Sequence, residues 1–125
     1  MGLFDKLFGN SENGSIKQDA EQAVIVRFLY GIDELEPLYQ LENELKRKID
    51  REGVGEFDWH EIAIDNSDGF LYMYGPNAEI LFKTVKPILE KTDFMRGAIA
   101  NLRFGPPEDG VSEIEVEIKN SSEHP

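Results

Sequence analysis

The spacing of apolar and polar positions along the chain predicts five strands and two helices. The first strand is apolar on both faces, which is typical of a central strand. The last strand alternates apolar residues with glutamates, and a row of glutamates on an outer strand blocks edge-to-edge pairing. The predicted strands lie at about residues 22–30, 57–65, 70–75, 98–104 and 112–118.

The first predicted helix begins at Asp33, a favoured N-cap residue, with Glu36 three residues later as in a capping box. Acidic residues come early in this helix and basic residues late. That order complements the helix dipole and gives the charge run a structural explanation. Gly53 and Gly55 end the helix. The buried stripe is expected to contain Leu35, Leu38, Leu41, Leu45 and Ile49.

The middle of the chain predicts a hairpin followed by the second helix. Asn66-Ser67-Asp68-Gly69 supplies suitable turn residues between two strands, the first of which places Ile64 on one face with His60. Asn77 caps the helix, and Pro87 is expected to kink it or to end its regular part. Its buried side is predicted to contain Ile80, Leu81, Val85, Ile88 and Leu89.

This order of elements predicts an α+β fold, a ferredoxin-like βαββαβ sandwich with an extra C-terminal antiparallel strand. Both helices then lie on one face of the sheet. The first and third strands are central, the second forms one edge, and the fifth extends the sheet beyond the fourth. The predicted domain covers residues 21–119, with a flexible or amphipathic N-terminal segment at 1–20 and a polar tail at 120–125.

Two motifs carry a resemblance to known proteins. They are Tyr74-Gly75-Pro76-Asn77-Ala78 and Leu102-Arg103-Phe104-Gly105-Pro106-Pro107. Over about residues 21–118 the chain resembles a group of small uncharacterised bacterial ferredoxin-like proteins. The resemblance implies a bacterial domain of that fold. It implies no catalytic residues, because the group has no established activity.

Composition excludes several kinds of site. The 125 residues suit one domain, and their formal net charge of −12 repels nucleic acid and attracts a basic partner. The same acidity also serves to keep a cytoplasmic protein soluble. There is no cysteine, and His60 and His124 are the two histidines, so no metal site is predicted. No dinucleotide or phosphate-binding motif is present, so no cofactor is predicted.

The N-terminal segment shows an apolar helical face formed by Leu3, Phe4, Leu7 and Phe8. It can dock on the domain, contact a partner or a membrane, or stay disordered. No stretch approaches the roughly 18 apolar residues of a membrane span, and no signal peptide is recognisable. A cytoplasmic protein without stable membrane insertion is therefore expected.

The candidate functional surface is the sheet face turned away from the helices, here called the open face. Alternation places two arginines among four aromatic side chains on it. Aromatic residues on such a sheet stack nucleobases in RNA-recognition domains, but the net charge argues against that role here. The candidate binding residues are Arg27, Trp59, Glu61, Phe70, Tyr72, Tyr74 and Arg103.

Three interpretations of the open face are left open. The leading one is a non-enzymatic interaction domain that binds a protein partner or a second copy, for example an immunity-type protein that neutralises a basic toxin. In the alternative, a small enzyme or ligand sensor binds an anionic small molecule through Arg27, Arg103, Tyr72 and Tyr74. In the third, the face is a structural surface covered by a tail. Against the ligand site stands the simpler interpretation that Arg27 or Arg103 pairs with Glu61 or another acidic residue across strands.

His60 is the one residue of the predicted domain suited to acid–base catalysis near neutral pH. The sequence shows no nucleophile beside it and no residue that would orient it. No catalytic residue is therefore predicted, and an enzyme is the less favoured interpretation.

Overall fold

The computed structural model describes residues 21–108 and 110–119, so the predictions for the N-terminal segment and the polar tail lie outside the described residues. The strands are β1 (Gln22–Leu29), β2 (Glu56–Ile62), β3 (Asp68–Gly75), β4 (Ile99–Arg103) and β5 (Glu113–Glu117). The helices are α1 (Glu36–Glu52) and α2 (Ala78–Glu90), with a 3-10 turn at Asp93–Met95.

The five strands form one antiparallel sheet in the order β2-β3-β1-β4-β5. The α+β class and the predicted place of every strand in the sheet are therefore confirmed. β1 lies in the middle, with Val24 opposite Met73 of β3 and Leu102 of β4. Its two apolar faces reflect this central position.

The core lies between the helices and one face of the sheet. Val24, Val26 and Phe28 of β1 are buried there, as predicted. From α1 the core receives Leu38, Leu41, Leu45 and Ile49, and from α2 Leu81, Val85, Ile88 and Leu89. Each large apolar side chain buried in this way contributes about 1.5–3 kcal/mol to the free energy of unfolding. No helix among the described residues is long and apolar enough to cross a membrane.

The start of α1 differs from the prediction. The helix begins at Glu36 after Leu35, no side chain caps it, and Pro37 lies in the first turn. Proline suits that turn because its φ is already helical and its missing N–H has no helical partner to lose. A residue of the β2–β3 turn stabilises the preceding loop, because the Asn66 side-chain amide donates a hydrogen bond to the Ile32 carbonyl at 3.0 Å. Asp33 is therefore not the N-cap.

Ile80 was placed wrongly on the buried side of its helix, and Ile64 was placed wrongly within a strand. Ile64 lies beyond the end of β2 in the turn and is fully exposed. Ile80 is half exposed, because the buried stripe of α2 follows the spacing of Ala78, Leu81 and Val85 and leaves it outside.

Other local predictions are confirmed, except that Pro87 does not end its helix. The Asn77 side chain accepts a hydrogen bond from the Ile80 N–H at 3.0 Å and caps α2. Gly53 ends α1 with a left-handed φ of 67°. Pro87 lies inside α2, which continues past it to Glu90, so the proline does not end the helix. The glutamates of β5 are exposed on the sheet edge.

Candidate functional site

The sheet register places all the predicted binding residues on the open face. The cross-strand pairs are Arg27 with Phe70, Glu61 with Phe70, and Trp59 with Tyr72. Arg103 and Tyr74 flank Ala23 of β1 from the two neighbouring strands. The alternation of side chains along the strands is therefore sufficient to identify the members of this face.

A depression of about 730 Å³ lies at one end of the open face. Of the predicted binding residues, Tyr72, Tyr74 and Arg103 line it. Arg27, Trp59, Glu61 and Phe70 do not. The other lining residues are Glu21, Ile25, Glu56, Asp58, Pro106, Pro107 and Glu108.

The depression is acidic. Its four carboxyl side chains come from the residue before β1, from β2 and from the loop between β4 and β5: Glu21, Glu56, Asp58 and Glu108. They face one guanidinium, that of Arg103, whose Nε donates a hydrogen bond to the Gly105 carbonyl at 2.7 Å. The surface there favours a positively charged group over an anion.

Backbone geometry brings the acidic residues of β2 to this place. The pairing of β2 with β3 shifts register between Phe57 and Trp59, so Asp58 sits at a bulge. Just before β2, Gly55 has a φ of 150°, and a Cβ there would collide with the Tyr74 carbonyl. The close approach of this segment to the end of β3 positions Glu56 and Asp58 beside Tyr74.

The two tyrosines of the depression differ in their surroundings. Burial raises the pKa of the Tyr74 phenol, Asp58 and Glu21 raise it further, and the charge of Arg103 opposes them. The Tyr72 hydroxyl donates to a Glu61 carboxylate oxygen at 2.6 Å, and this hydrogen bond, with burial, raises the pKa of Tyr72 to about 12. Both phenols therefore stay neutral at physiological pH.

Glu61 is bonded to Tyr72, and among the described residues neither arginine pairs with it. Glu61 is therefore not the acidic partner of either arginine. Arg27 lies on the exposed part of the open face, where Leu29 is also exposed and the rings of Phe70 and Tyr72 stack with centroids 6.1 Å apart. This part of the face carries exposed apolar side chains beside Arg27 and Glu61, whereas carboxyl groups predominate in the depression.

A second cluster, which the sequence did not reveal, lies at the edge of the sheet. His60 Nδ1 and a Glu42 carboxylate oxygen are 2.5 Å apart, and both side chains are largely buried. The two atoms form a close contact, and neither has another hydrogen-bond partner among the described residues. Burial raises the pKa of Glu42, and the charges of His60 and Lys46 oppose the rise.

The position of Glu42 was detectable in the sequence. It lies four residues after Leu38 and three before Leu45, so it belongs to the apolar stripe of α1. An acidic residue at such a position needs a partner when it is buried. His60, which was expected to lack an orienting residue, supplies that partner and gains one.

No set of three acidic or histidine side chains among the described residues is arranged to hold a metal ion. The turn carboxylate of Asp65 accepts a hydrogen bond from the Ser67 N–H at 3.0 Å, and hydrogen bonds from Ser67 lower the pKa of Asp65. That residue therefore stabilises the turn.

Comparison of the chain with protein families, with curated proteins and with solved structures found no match.

Proposed function

We propose that the chain is a non-enzymatic interaction domain that binds a basic partner protein through the acidic depression and the neighbouring apolar part of the open face. An immunity-type protein that neutralises a basic toxin is one form of such a function.

We also propose that the architecture is the ferredoxin-like βαββαβ sandwich with one added strand. The strand order and the shared helix-covered face support that assignment.

The observation that carries the proposed function is the convergence of four carboxyl groups on a depression lined by two tyrosines. Tyrosine rings attract ammonium and guanidinium groups through their π faces, and carboxylates add charge attraction. Leu29 and Trp59, which are 74% and 61% exposed, extend the surface with apolar area that a partner would bury.

The arrangement suits a protein better than a metal ion. The carboxyl groups surround a space of about 730 Å³ and do not cluster at metal-binding distance. A partner that presents several lysines or arginines can reach them together. A second copy of the chain is less suitable, because each copy carries a net charge of −12.

The anionic small molecule predicted as an alternative ligand has less support. Arg103, Tyr72 and Tyr74 do meet in the depression, but Arg27 does not line it. An anion bound there would face four carboxyl groups and one guanidinium.

The test compares an oligoarginine peptide with an oligoglutamate peptide of equal length by isothermal titration calorimetry. The double variant Glu56→Gln, Asp58→Asn is expected to weaken oligoarginine binding about fivefold, from ~0.5 kcal/mol for each exposed ion pair lost. Added salt is expected to weaken the binding further, because the attraction is screened.

The matched control is Asp50→Asn, Glu79→Gln, which removes the same two charges from exposed positions on the helices. It is expected to leave oligoarginine affinity near that of the wild type. Equal weakening by both double variants would show that net charge alone matters and would contradict a binding site in the depression. Binding of oligoglutamate would favour the anionic alternative.

A further inference from the structure

Glu42 and His60 join α1 to the edge strand β2. The atoms that approach within 2.5 Å belong to side chains that are 9% and 18% exposed, so water competes little for this contact. A carboxylate buried without compensation is costly, whereas a carboxylate beside an imidazolium is stabilised by the opposite charge. The contact is therefore most favourable while the pair holds its proton.

Trp59 covers the same imidazole. The rings of Trp59 and His60 are nearly parallel, with an interplanar angle of 8° and centroids 4.9 Å apart. The indole itself is 61% exposed, so core packing does not fix its position. An indole face attracts a cation, and an imidazolium below it adds this attraction to the ring contact.

We propose that the Glu42–His60 pair is a proton-controlled contact. While the pair holds its proton, the imidazolium keeps Trp59 stacked at the edge of the sheet. Loss of the proton removes the cation–π attraction and the ion pair together, and the indole is released from His60. This inference does not depend on the docking function proposed above.

Other groups around the pair do not produce the same pH response. Opposite His60, β3 contributes the apolar Leu71. The titratable or charged neighbours on the adjoining elements are Tyr39 and Lys46 of α1, Asp58 and Glu61 of β2, and Tyr72 of β3. Free carboxyl, lysine and tyrosine side chains change charge near pH 4 or near pH 10, outside the window in which an imidazole titrates.

The chain contains a single tryptophan, so fluorescence excited at a wavelength that tyrosine does not absorb reports on Trp59 alone. A protonated imidazole stacked on an indole quenches its emission. The emission of Trp59 is therefore expected to rise in one sigmoidal step between about pH 5 and about pH 9. An imidazole changes charge in this range. His60→Gln should abolish that step. Glu42→Gln should move the midpoint of the step to lower pH, because the carboxylate no longer favours the proton.

His124→Gln, which removes the other histidine, is the matched control and should leave the step unchanged. Far-UV circular dichroism of each variant confirms that it is folded, and the wild-type titration tests the proposal even if a variant does not fold. A flat wild-type profile, a step that survives His60→Gln, or a midpoint insensitive to Glu42→Gln would overturn the proposal.

Discussion

Tyr72 and Tyr74 show how neighbours on one strand acquire different roles from their contacts. The Tyr72 hydroxyl donates its hydrogen bond to Glu61, and the uncharged residue lines the depression. Tyr74 lies among Asp58, Glu21 and Arg103, where charges of both signs act on its phenol. A partner cation that approaches Tyr74 would add to the effect of Arg103.

Glu42 is the residue with the clearest consequence for stability. Its folded-state pKa is raised, chiefly by burial, so the folded protein binds its proton more tightly than the unfolded chain does. The resulting stability is fully present below the ordinary carboxyl pKa of about 4.3 and is lost as the pH rises through the raised value. Urea denaturation measures the free energy of unfolding of the wild type and of Glu42→Gln from about pH 4 upward. As the pH increases, the variant should become more stable relative to the wild type. A difference independent of pH would contradict the shift.

At the scale of elements, the spacing of apolar residues predicted the five strands and the two α-helices of the described residues. The predicted ends of α1 and β2 differ from the observed ones. Asp33 and Glu36 resemble a capping box, which predicted that α1 begins at Asp33. The helix instead begins at Glu36, because a hydrogen bond from Asn66 holds the preceding loop. The alternation of β2 continues through Ile64, but the strand ends at Ile62, and the hydrogen bond from the Ala63 N–H to the Asp68 carbonyl closes the turn that follows. At α1 a contact with another segment outweighed a local preference, and at β2 the hairpin turn did.

Asn77 provides a test at this scale because its capping contact is defined. Asn77→Ala removes the acceptor for the Ile80 N–H and is expected to lower the free energy of unfolding by about 1 kcal/mol. Asn77→Asp keeps an oxygen acceptor and should stay near the wild type. Urea denaturation with an unchanged m-value is the measurement. Equal stability of the alanine variant would mean that water replaces the cap at no cost.

For the whole molecule, the open face combines two different surfaces. One end is an acidic depression, and the rest carries exposed apolar side chains such as Leu29 and Trp59. The other side of the sheet is covered by both helices and forms the core. Among the described residues the helices fill the core side, so the surfaces of the sheet that they leave uncovered are the open face and the two edges.

The described core draws its side chains from residues 23–118. A chain restricted to residues 21–119 is therefore expected to unfold cooperatively, with a midpoint within about 5 °C of the full chain, the shift that about 1 kcal/mol produces at this size. Differential scanning calorimetry of both chains measures it. A much lower midpoint for the shorter chain would show that the omitted residues stabilise the domain.

The sequence by itself determined the order of elements, the central place of β1 and the membership of the open face, because alternation and helical spacing are properties of neighbouring residues. Only the tertiary structure decided which of these side chains converge. The bulge at Asp58 and the loop that carries Glu108 assemble the acidic depression from segments far apart in the chain. The contact of α1 with β2 likewise pairs Glu42 with His60. Such contacts depend on register and packing between elements, which no local pattern of residues specifies.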